Sequence, residues 1–528
     1  SPWGQGLLDR LADGLVARDP AYARSVGLHE ADGKVGRYSA EALAEIRAFL
    51  TRSIAELDAL DPASLSDNEA LDRAILHGHF SRWLFSLEDL DEPRKKPQFY
   101  EDIFGVNVYV DRDYAPLDAR LARLVEHEEA ALAEVPHIRK NLALPLSKTM
   151  ARVAAKNYLG YAEYLRGDVH KIFGQAGDPA LHARFEKANE ALAVEAERLG
   201  KWLRDEVSPK GDDSHILGAA RFQKLFAVQE GMNSSIDELS RMAEADLARN
   251  KAAYEELAKT TSPVRPAASE LIPLATALVA ESRQFLLDKK IVTIPSTDTA
   301  TVKETPPYAQ WNAASLDATG PFDPYRAAFY YITLPNPAWP KKEQEEYVFP
   351  RGVLLATTVH EVFPGHFLQG RWATQAPTRV QKMAGSYSFT EGWAHYAEQM
   401  MIEEGFHASD PQARLGQLSD ALLRNCRFVG AIALHAQGKS VADVARRFAD
   451  DCKQDAATAQ EQAERGTFDP GYFAYTLGKI QILDLRAEAK QKLGAAFSLQ
   501  RFHDALLAHG APPVALLRPR VLKALGAP

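Results

Sequence analysis

The sequence is short of the features that would place it quickly in a class. Among 528 residues there are two cysteines, Cys426 and Cys452, too few for a disulfide framework in a chain this long. Isolated cysteines are usually core residues, so two buried free thiols are favoured, and a single bond between them stays open as the alternative. No stretch reaches the ~20 apolar residues that a membrane-spanning helix requires. Positive charge is nowhere concentrated. The densest basic run, Arg94-Lys95-Lys96, is short and flanked by acids and prolines, and the net charge is −9. Phosphate binding needs a concentrated basic surface, so nucleic acid is not an expected partner. No segment repeats at the fixed period of a solenoid. The chain opens at Ser1 without a Met or an apolar leader, which fits a processed form. A periplasmic or secreted location after removal of a signal peptide is slightly favoured over a cytoplasmic one.

What the sequence does have is helix. Its 46% hydrophobic and 25% charged residues are ordinary for a globular chain and suffice for a large core. From residue 5 to about 288 apolar residues recur at three- and four-residue spacing, as in residues 117–135 and 150–172. Ser66-Asp67-Asn68-Glu69 and Ser235-Ile236-Asp237-Glu238 are capping boxes, in which a Ser and a Glu three residues on satisfy orphan backbone donors. Near residue 290 the texture changes. Ile291-Val292-Thr293-Ile294 and Ala328-Phe329-Tyr330-Tyr331-Ile332-Thr333 are β-branched or aromatic, end at prolines, and are expected to be strands. The Pro/Thr/Asp-rich residues 295–326 between them are expected to be loop around one more strand. From about 350 the helical pattern returns. The expected fold is therefore mainly α, with a small sheet beside the helices that carry the chemistry. A helical lobe, residues 1–288, would wrap a catalytic half, residues 289–528, made of the sheet (289–350) and site helices (351–528). No flexible linker separates the two, so they are expected to form one continuous unit.

The chemistry centres on His360-Glu361-Val362-Phe363-Pro364-Gly365-His366. In the common zinc-peptidase arrangement two His at i and i+4 share one helical face, and the Glu after the first is the general base. Here the second His comes at i+6, roughly 240° around an undistorted helix. Pro364 removes a backbone donor and clashes with the preceding turn, while Gly365 tolerates angles closed to other residues. The motif makes sense only if the helix breaks there and swings His366 back beside His360. Otherwise the segment is a helix terminator with two incidental histidines. A third ligand is expected to be a carboxylate, since His₂Glu with an open fourth position is a standard hydrolytic zinc set. Phe389-Thr390-Glu391-Gly392-Trp393-Ala394-His395-Tyr396-Ala397-Glu398 fits. Thr390 would cap a helix on which Glu391 and Glu398 share a face. Glu391 would bind the metal, and Glu398 would orient a ligand histidine through its ring N–H. His395 is a competing ligand, and two solvated surface acids are the ordinary alternative.

The pairing of HExxPGH with a downstream EGWA-x-Y-x-E helix resembles the bacterial domain-of-unknown-function 885 family, which is similar in outline to gluzincin zinc metallopeptidases. The resemblance spans nearly the whole chain, including Asp19-Pro20 and Gly27-Leu28-His29, but its specificity rests on residues 360–398. It implies one zinc ion, short peptide substrates and a deep channel closed to folded proteins. It also favours Tyr475, in Gly471-Tyr472-Phe473-Ala474-Tyr475-Thr476-Leu477-Gly478-Lys479, as the donor to a developing oxyanion. Tyr472 offers a second phenol. Arg424 and Arg427 share a helical face with His435 near it, and Arg427 or Lys479 would suit a substrate carboxylate. Family members often carry an Asp four residues after the Arg matching Arg427. Here that position is Ala431, which weakens the roles given to Arg427 and His435. The strand over 328–333 would offer its edge to an extended peptide, or else lie buried in the core. Each of these residues has an ordinary reading as a surface Arg, a core Tyr or a satisfied His.

The expected function is hydrolysis by metal-activated water, with Glu361 as general base and zinc held by His360, His366 and Glu391. Two rivals stand beside it. One is a catalytically inactive protein that binds peptides or a protein partner in the same groove, and the other a zinc hydrolase of a different amide or ester. The sequence leaves open the identity of the divalent ion, the cleavage position and the oligomeric state.

Overall fold

The computed structural model describes residues 2–306, 310 and 313–527. Both capping boxes form as read, at Ser66 and Ser235, each with the Ser hydroxyl accepting from the Glu backbone N–H and the Glu carboxylate returning to the Ser N–H. Among the described residues the chain is mainly helical, with a single three-stranded sheet. Among the described residues no helix is long and apolar enough to cross a membrane.

The chain forms two compact units. The first comprises Ser1–Leu217 and Phe322–Tyr325, and the second Gly218–Pro321 and Arg326–Pro528. The boundary drawn at residue 288 from sequence texture thus falls inside the second unit. In the first unit the long helix Pro179–Trp202 packs on both Leu117–Asn141 and Lys148–Tyr164, and Ala40–Asp58 packs on Asp67–Glu88. The short return 322–325 is tied in by Phe322 N–H to the Val26 carbonyl (3.0 Å) and by His29 Nε2 to Asp323 Oδ2 (3.0 Å). Gly27 is needed at that crossing. It has φ +93°, and a Cβ there would lie 2.4 Å from the Asp323 nitrogen.

In the second unit the sheet is formed by β1 (Thr301–Glu304), β2 (Ala314–Asp317) and β3 (Phe329–Ile332) in the order β1-β3-β2. β3 pairs in parallel with β1 and antiparallel with β2. The stretch 295–326 therefore holds two strands rather than one, although residues 307–309 and 311–312 lie outside the described residues. β3 has a partner on both sides, so the expected edge for an incoming peptide does not exist there. Ile291-Val292-Thr293-Ile294 is not a strand. Side chains use its backbone groups instead. His503 Nδ1 lies 2.7 Å from the Ile291 carbonyl, Thr293 N–H donates to Asp504, and Trp372 Nε1–H donates to the Thr293 carbonyl. With those groups spent, no ladder can form.

Six helices frame the candidate site: α1 (Arg351–Glu361), α2 (His366–Ala373), α3 (Tyr387–Glu403), α4 (Pro411–Ala431), α5 (Ala456–Phe468) and α6 (Ala474–Leu493). Two crossings bring them into near backbone contact. α1 meets α4 where Gly352 faces Gly416, and a Cβ on Gly352 would sit 1.8 Å from the Gln412 carbonyl oxygen. α3 meets α6 where Gly392 faces Gly478, and a Cβ on Gly478 would sit 2.0 Å from the Ser388 oxygen. Only residues without a side chain allow such approach. These contacts set the helices bearing His360, Glu391 and Tyr475 at fixed depth. The sheet supports them from β3, where buried Tyr330 Oη lies 3.2 Å from Thr358 Oγ1 on α1.

Cys426 at the inner face of α4 and Cys452 form a disulfide, with Cα atoms 6.2 Å apart. This corrects the expectation of two free thiols. Both are fully buried, as expected, but their separation is within bonding range.

Candidate metal centre

The helix breaks where the sequence requires it to. α1 ends at Glu361, and residues 362–365 turn the chain before α2 begins at His366. The turn is pinned by Gly365 N–H to the Val359 carbonyl (3.0 Å) and, from α3, by Trp393 Nε1–H to the Pro364 carbonyl (2.8 Å). Gly365 serves by its size. Its φ is −68°, but a Cβ would lie 1.7 Å from the His360 oxygen and 2.4 Å from the Val359 oxygen. The result is that the His360 and His366 rings stand 4.7 Å apart, perpendicular to each other.

Glu391 completes the group from α3. Its Oε2 is 3.3 Å from His360 Nε2 and 3.4 Å from His366 Nε2. Among the described residues these three are the one cluster whose ligand atoms converge closely enough to hold a metal ion, all lying within 4.8 Å of one another. The N-cap of α3 is Ser386, whose hydroxyl accepts from Phe389 N–H, and not Thr390 as expected. The extended Ser386 backbone lets its oxygen reach the first-turn donors, and Thr390 is already helical. The Glu391 and Glu398 spacing survives this shift.

Glu398 lies behind the cluster, fully buried. Its Oε1 is 2.7 Å from His360 Nδ1 and its Oε2 is 3.1 Å from His395 Nδ1. Glu398 engages the Nδ1 side of His360 and so aims Nε2 into the cluster, 3.3 Å from Glu391. Arg424 Nη2 stands 3.8 Å from Glu398, and Arg424 also pairs with Asp420 at 3.4 Å. Burial pushes the Glu398 carboxyl up, but Arg424, His395 and His360 outweigh it and hold the group far below its usual range. Glu391 is likewise pushed up by burial and brought well below the usual range by His366 and His360. For His360 burial lowers the pKa, yet Glu391 and Glu398 raise it well above normal. His395 is brought down to about 4 by burial, against the pull of Glu398. It is a neutral supporting residue and does not join the ligand cluster.

These residues fit a metal ion. Glu391 Oε2 is buried and makes no well-aligned hydrogen bond, so a carboxylate oxygen is directed into the cluster beside two imidazole nitrogens at 3.3 and 3.4 Å. Two imidazoles and one carboxylate are a zinc donor set. Glu361, half-buried at the end of α1, makes no hydrogen bond or ion pair among the described residues. It is available for proton transfer.

Other expected residues divide into two groups. Tyr475 is 9% exposed on α6, with Arg427 4.7 Å and Arg424 5.7 Å from its ring centre and Tyr387 against it edge-on. Arg424 lies between it and Glu398, behind the His-His-Glu cluster. The remaining three belong to the core. Lys479 is fully buried with Nζ 3.1 Å from Asp246 Oδ2, in a network with Asn250 and Asn425. His435 sets Nε2 2.7 Å from the Gly466 carbonyl and stacks on Phe222. Tyr472 is fully buried with its hydroxyl against Gly466. Their charged and polar tips are used or enclosed by packing, so the substrate roles expected of them are not supported by position. Conversely, Asp420, Tyr387, Arg465 and Asp469 were not singled out from sequence. Tyr387 Oη lies 3.1 Å from Asp469 Oδ2 and 2.9 Å from Arg465 Nη2. The i,i+4 pairs Asp420/Arg424 and Arg465/Asp469 were the available signal.

Fold and site together define a mainly helical protein with a partly buried His-His-Glu cluster at a broken helix. The chain belongs to the family described as bacterial protein of unknown function (DUF885), which matches residues 20–521. No curated protein matches the sequence. Two solved structures share the fold over nearly all of both chains. One, from Shewanella oneidensis and described as a putative lipoprotein of unknown function, is 23% identical with a TM-score of 0.82 over 98% of this chain and 99% of that one. The other, described as the putative lipoprotein from Colwellia psychrerythraea, is 19% identical with a TM-score of 0.74 over 99% of each chain. A structure described as a putative oligoendopeptidase F from Bacillus anthracis is 11% identical over 93% of this chain and 95% of that one. Its TM-score of 0.26 is too low to carry an argument.

Proposed function

We propose that the protein is a zinc-dependent hydrolase of the gluzincin type that acts on short peptides. The observation that carries this reading is the convergence of His360, His366 and Glu391 across a helix break, with Glu398 behind His360. His360, His366 and Glu391 would hold the ion. Bound there, zinc supplies Lewis acidity and a water acidified toward neutrality. Glu361 takes a proton from the attacking water and delivers it to the leaving amide nitrogen. Glu398 keeps His360 in the tautomer with Nε2 unprotonated. Tyr475 donates its hydroxyl to the carbonyl oxygen as negative charge builds. Esters and other amides would meet the same groups, so the peptide assignment rests on the family outline and not on the cluster itself. A location outside the cytoplasm is favoured by the Cys426–Cys452 disulfide, since such bonds persist in oxidising compartments. The names of the two fold relatives point the same way.

The test is a mixed peptide library incubated with zinc-loaded protein, with products read by mass spectrometry. Wild-type protein should cleave, and Glu361→Gln should retain zinc without turnover. Full activity in that variant, or loss of its zinc, would defeat the role given to Glu361. Protein that binds peptides but never holds zinc would be the non-catalytic binding module instead.

A further inference from the structure

Three arginines lie around Tyr475, and two of them are compensated. Arg424 faces Asp420 and Glu398, and Arg465 faces Asp469 Oδ2 at 3.0 Å. Arg427 is different. It is only 7% exposed, yet among the described residues it has no carboxylate partner. Its one hydrogen bond there is Nε–H to Gln462 Oε1 at 2.8 Å, and its guanidinium lies 4.7 Å from the centre of the Tyr475 ring. Both terminal nitrogens lack a protein acceptor among the described residues. Ala431, one helical turn on, brings no charge. A buried cation without an anion is costly, and proteins seldom keep one without a use. The same Tyr475 ring is faced by Arg424, whose other neighbour, Glu398, holds the metal-cluster histidine.

We infer that Arg427 is the subsite for the free C-terminal carboxylate of a peptide substrate, so that cleavage is measured from the carboxyl end. This rests on the hydrolase reading above and specifies its substrate class. The planar guanidinium is suited to a carboxylate, offering paired donors in one plane with the Tyr475 ring beside it. Gln462 on α5 fixes the guanidinium by its Nε and leaves the terminal nitrogens for the ligand. Lys479, the other residue suited by charge, is excluded because Asp246 already neutralises it.

One random pentapeptide library, made once with free carboxyl ends and once as C-terminal amides, tests the inference. Zinc-loaded wild-type protein should cut the free acids at a fixed number of residues from the carboxyl end and consume the amides roughly a hundredfold more slowly, the scale of losing one buried charge-assisted pair. Arg427→Met should erase the preference, so that acids and amides are consumed at the same rate. Its melting temperature should not fall, because an apolar group replaces an unpaired buried charge. Equal consumption of acids and amides by wild-type protein would overturn the inference and leave the hydrolase reading standing. So would a steep loss of melting temperature in Arg427→Met that Arg427→Lys restores, since that would make Arg427 a structural ion. If wild-type protein cleaves neither library, the hydrolase reading fails, and retention of the two libraries by Glu361→Gln protein in ultrafiltration decides separately. Preferential retention of acids that Arg427→Met abolishes upholds the subsite, and equal or absent retention of both overturns it.

Discussion

Gly365→Ala probes the site through its backbone. The added Cβ would fall 1.7 Å from the His360 carbonyl oxygen, 2.3 Å from its carbonyl carbon and 2.4 Å from the Val359 oxygen. A carbon needs about 3.4 Å from a carbonyl oxygen, so the turn must open by about 1.7 Å, against a tolerance of about 0.2 Å in a metal–ligand distance. The displaced atoms belong to the residue before Glu361 and adjoin His366, so the two imidazoles separate. Overpacking costs about 1–3 kcal/mol of stability, which a core of this size survives. The expected result is a folded protein with near-native circular dichroism that binds zinc at least a hundredfold more weakly. Chelator competition followed by elemental analysis measures that affinity. Wild-type zinc affinity in a folded Gly365→Ala protein would refute the claim that this close approach builds the site.

Other perturbations test other parts of the account. Glu398→Gln keeps the shape but loses the charge that orients His360, and metal affinity should fall by about 10- to 100-fold in the same competition assay. Buried His127 and His503 are held down to about 3 by desolvation, so the native state keeps them neutral while the unfolded chain protonates them near 6.5. Between those values the unfolded state binds more protons. The stability that each neutral histidine contributes is therefore full above pH 6.5 and falls as pH drops, by about 1.4 kcal/mol per unit. Urea unfolding of wild-type and His503→Asn protein between pH 7.5 and 5 should differ in slope by one histidine's share, whereas parallel profiles would contradict it. Reducing Cys426–Cys452, a bond closing a separation of 26 residues, should cost about 3.5 kcal/mol by loop entropy. An unchanged melting temperature in Cys426→Ser would argue against that bond as a stabiliser.

Much of this was legible in the sequence for identifiable reasons. Capping boxes and three–four periodicity are local signals, and both gave helices where expected. The His360–His366 spacing was informative because it was wrong for a straight helix, and that conflict located the break. Its mechanism was harder to see. Gly365 has an ordinary negative φ and is required because the chain passes over its own carbonyls, which depends on tertiary path. Long-range effects also explain the failures. Ile291-Val292-Thr293-Ile294 has strand composition, but His503, Asp504 and Trp372 claim its backbone groups from distant segments. Lys479 has the chemistry of a carboxylate anchor, and only the fold shows Asp246 beside it. The same holds for Arg427, whose sequence looked weakened by Ala431 although the missing partner is what makes it notable.

The central claim is that His360, His366 and Glu391 hold one catalytic metal ion, and metal stoichiometry tests it most directly. Protein purified without chelators should carry one zinc per chain by native mass spectrometry, with the ion retained in Glu361→Gln and absent from folded His366→Ala and Glu391→Ala. Wild-type protein that holds no stoichiometric metal after zinc loading, or ligand variants that keep it, would contradict the account.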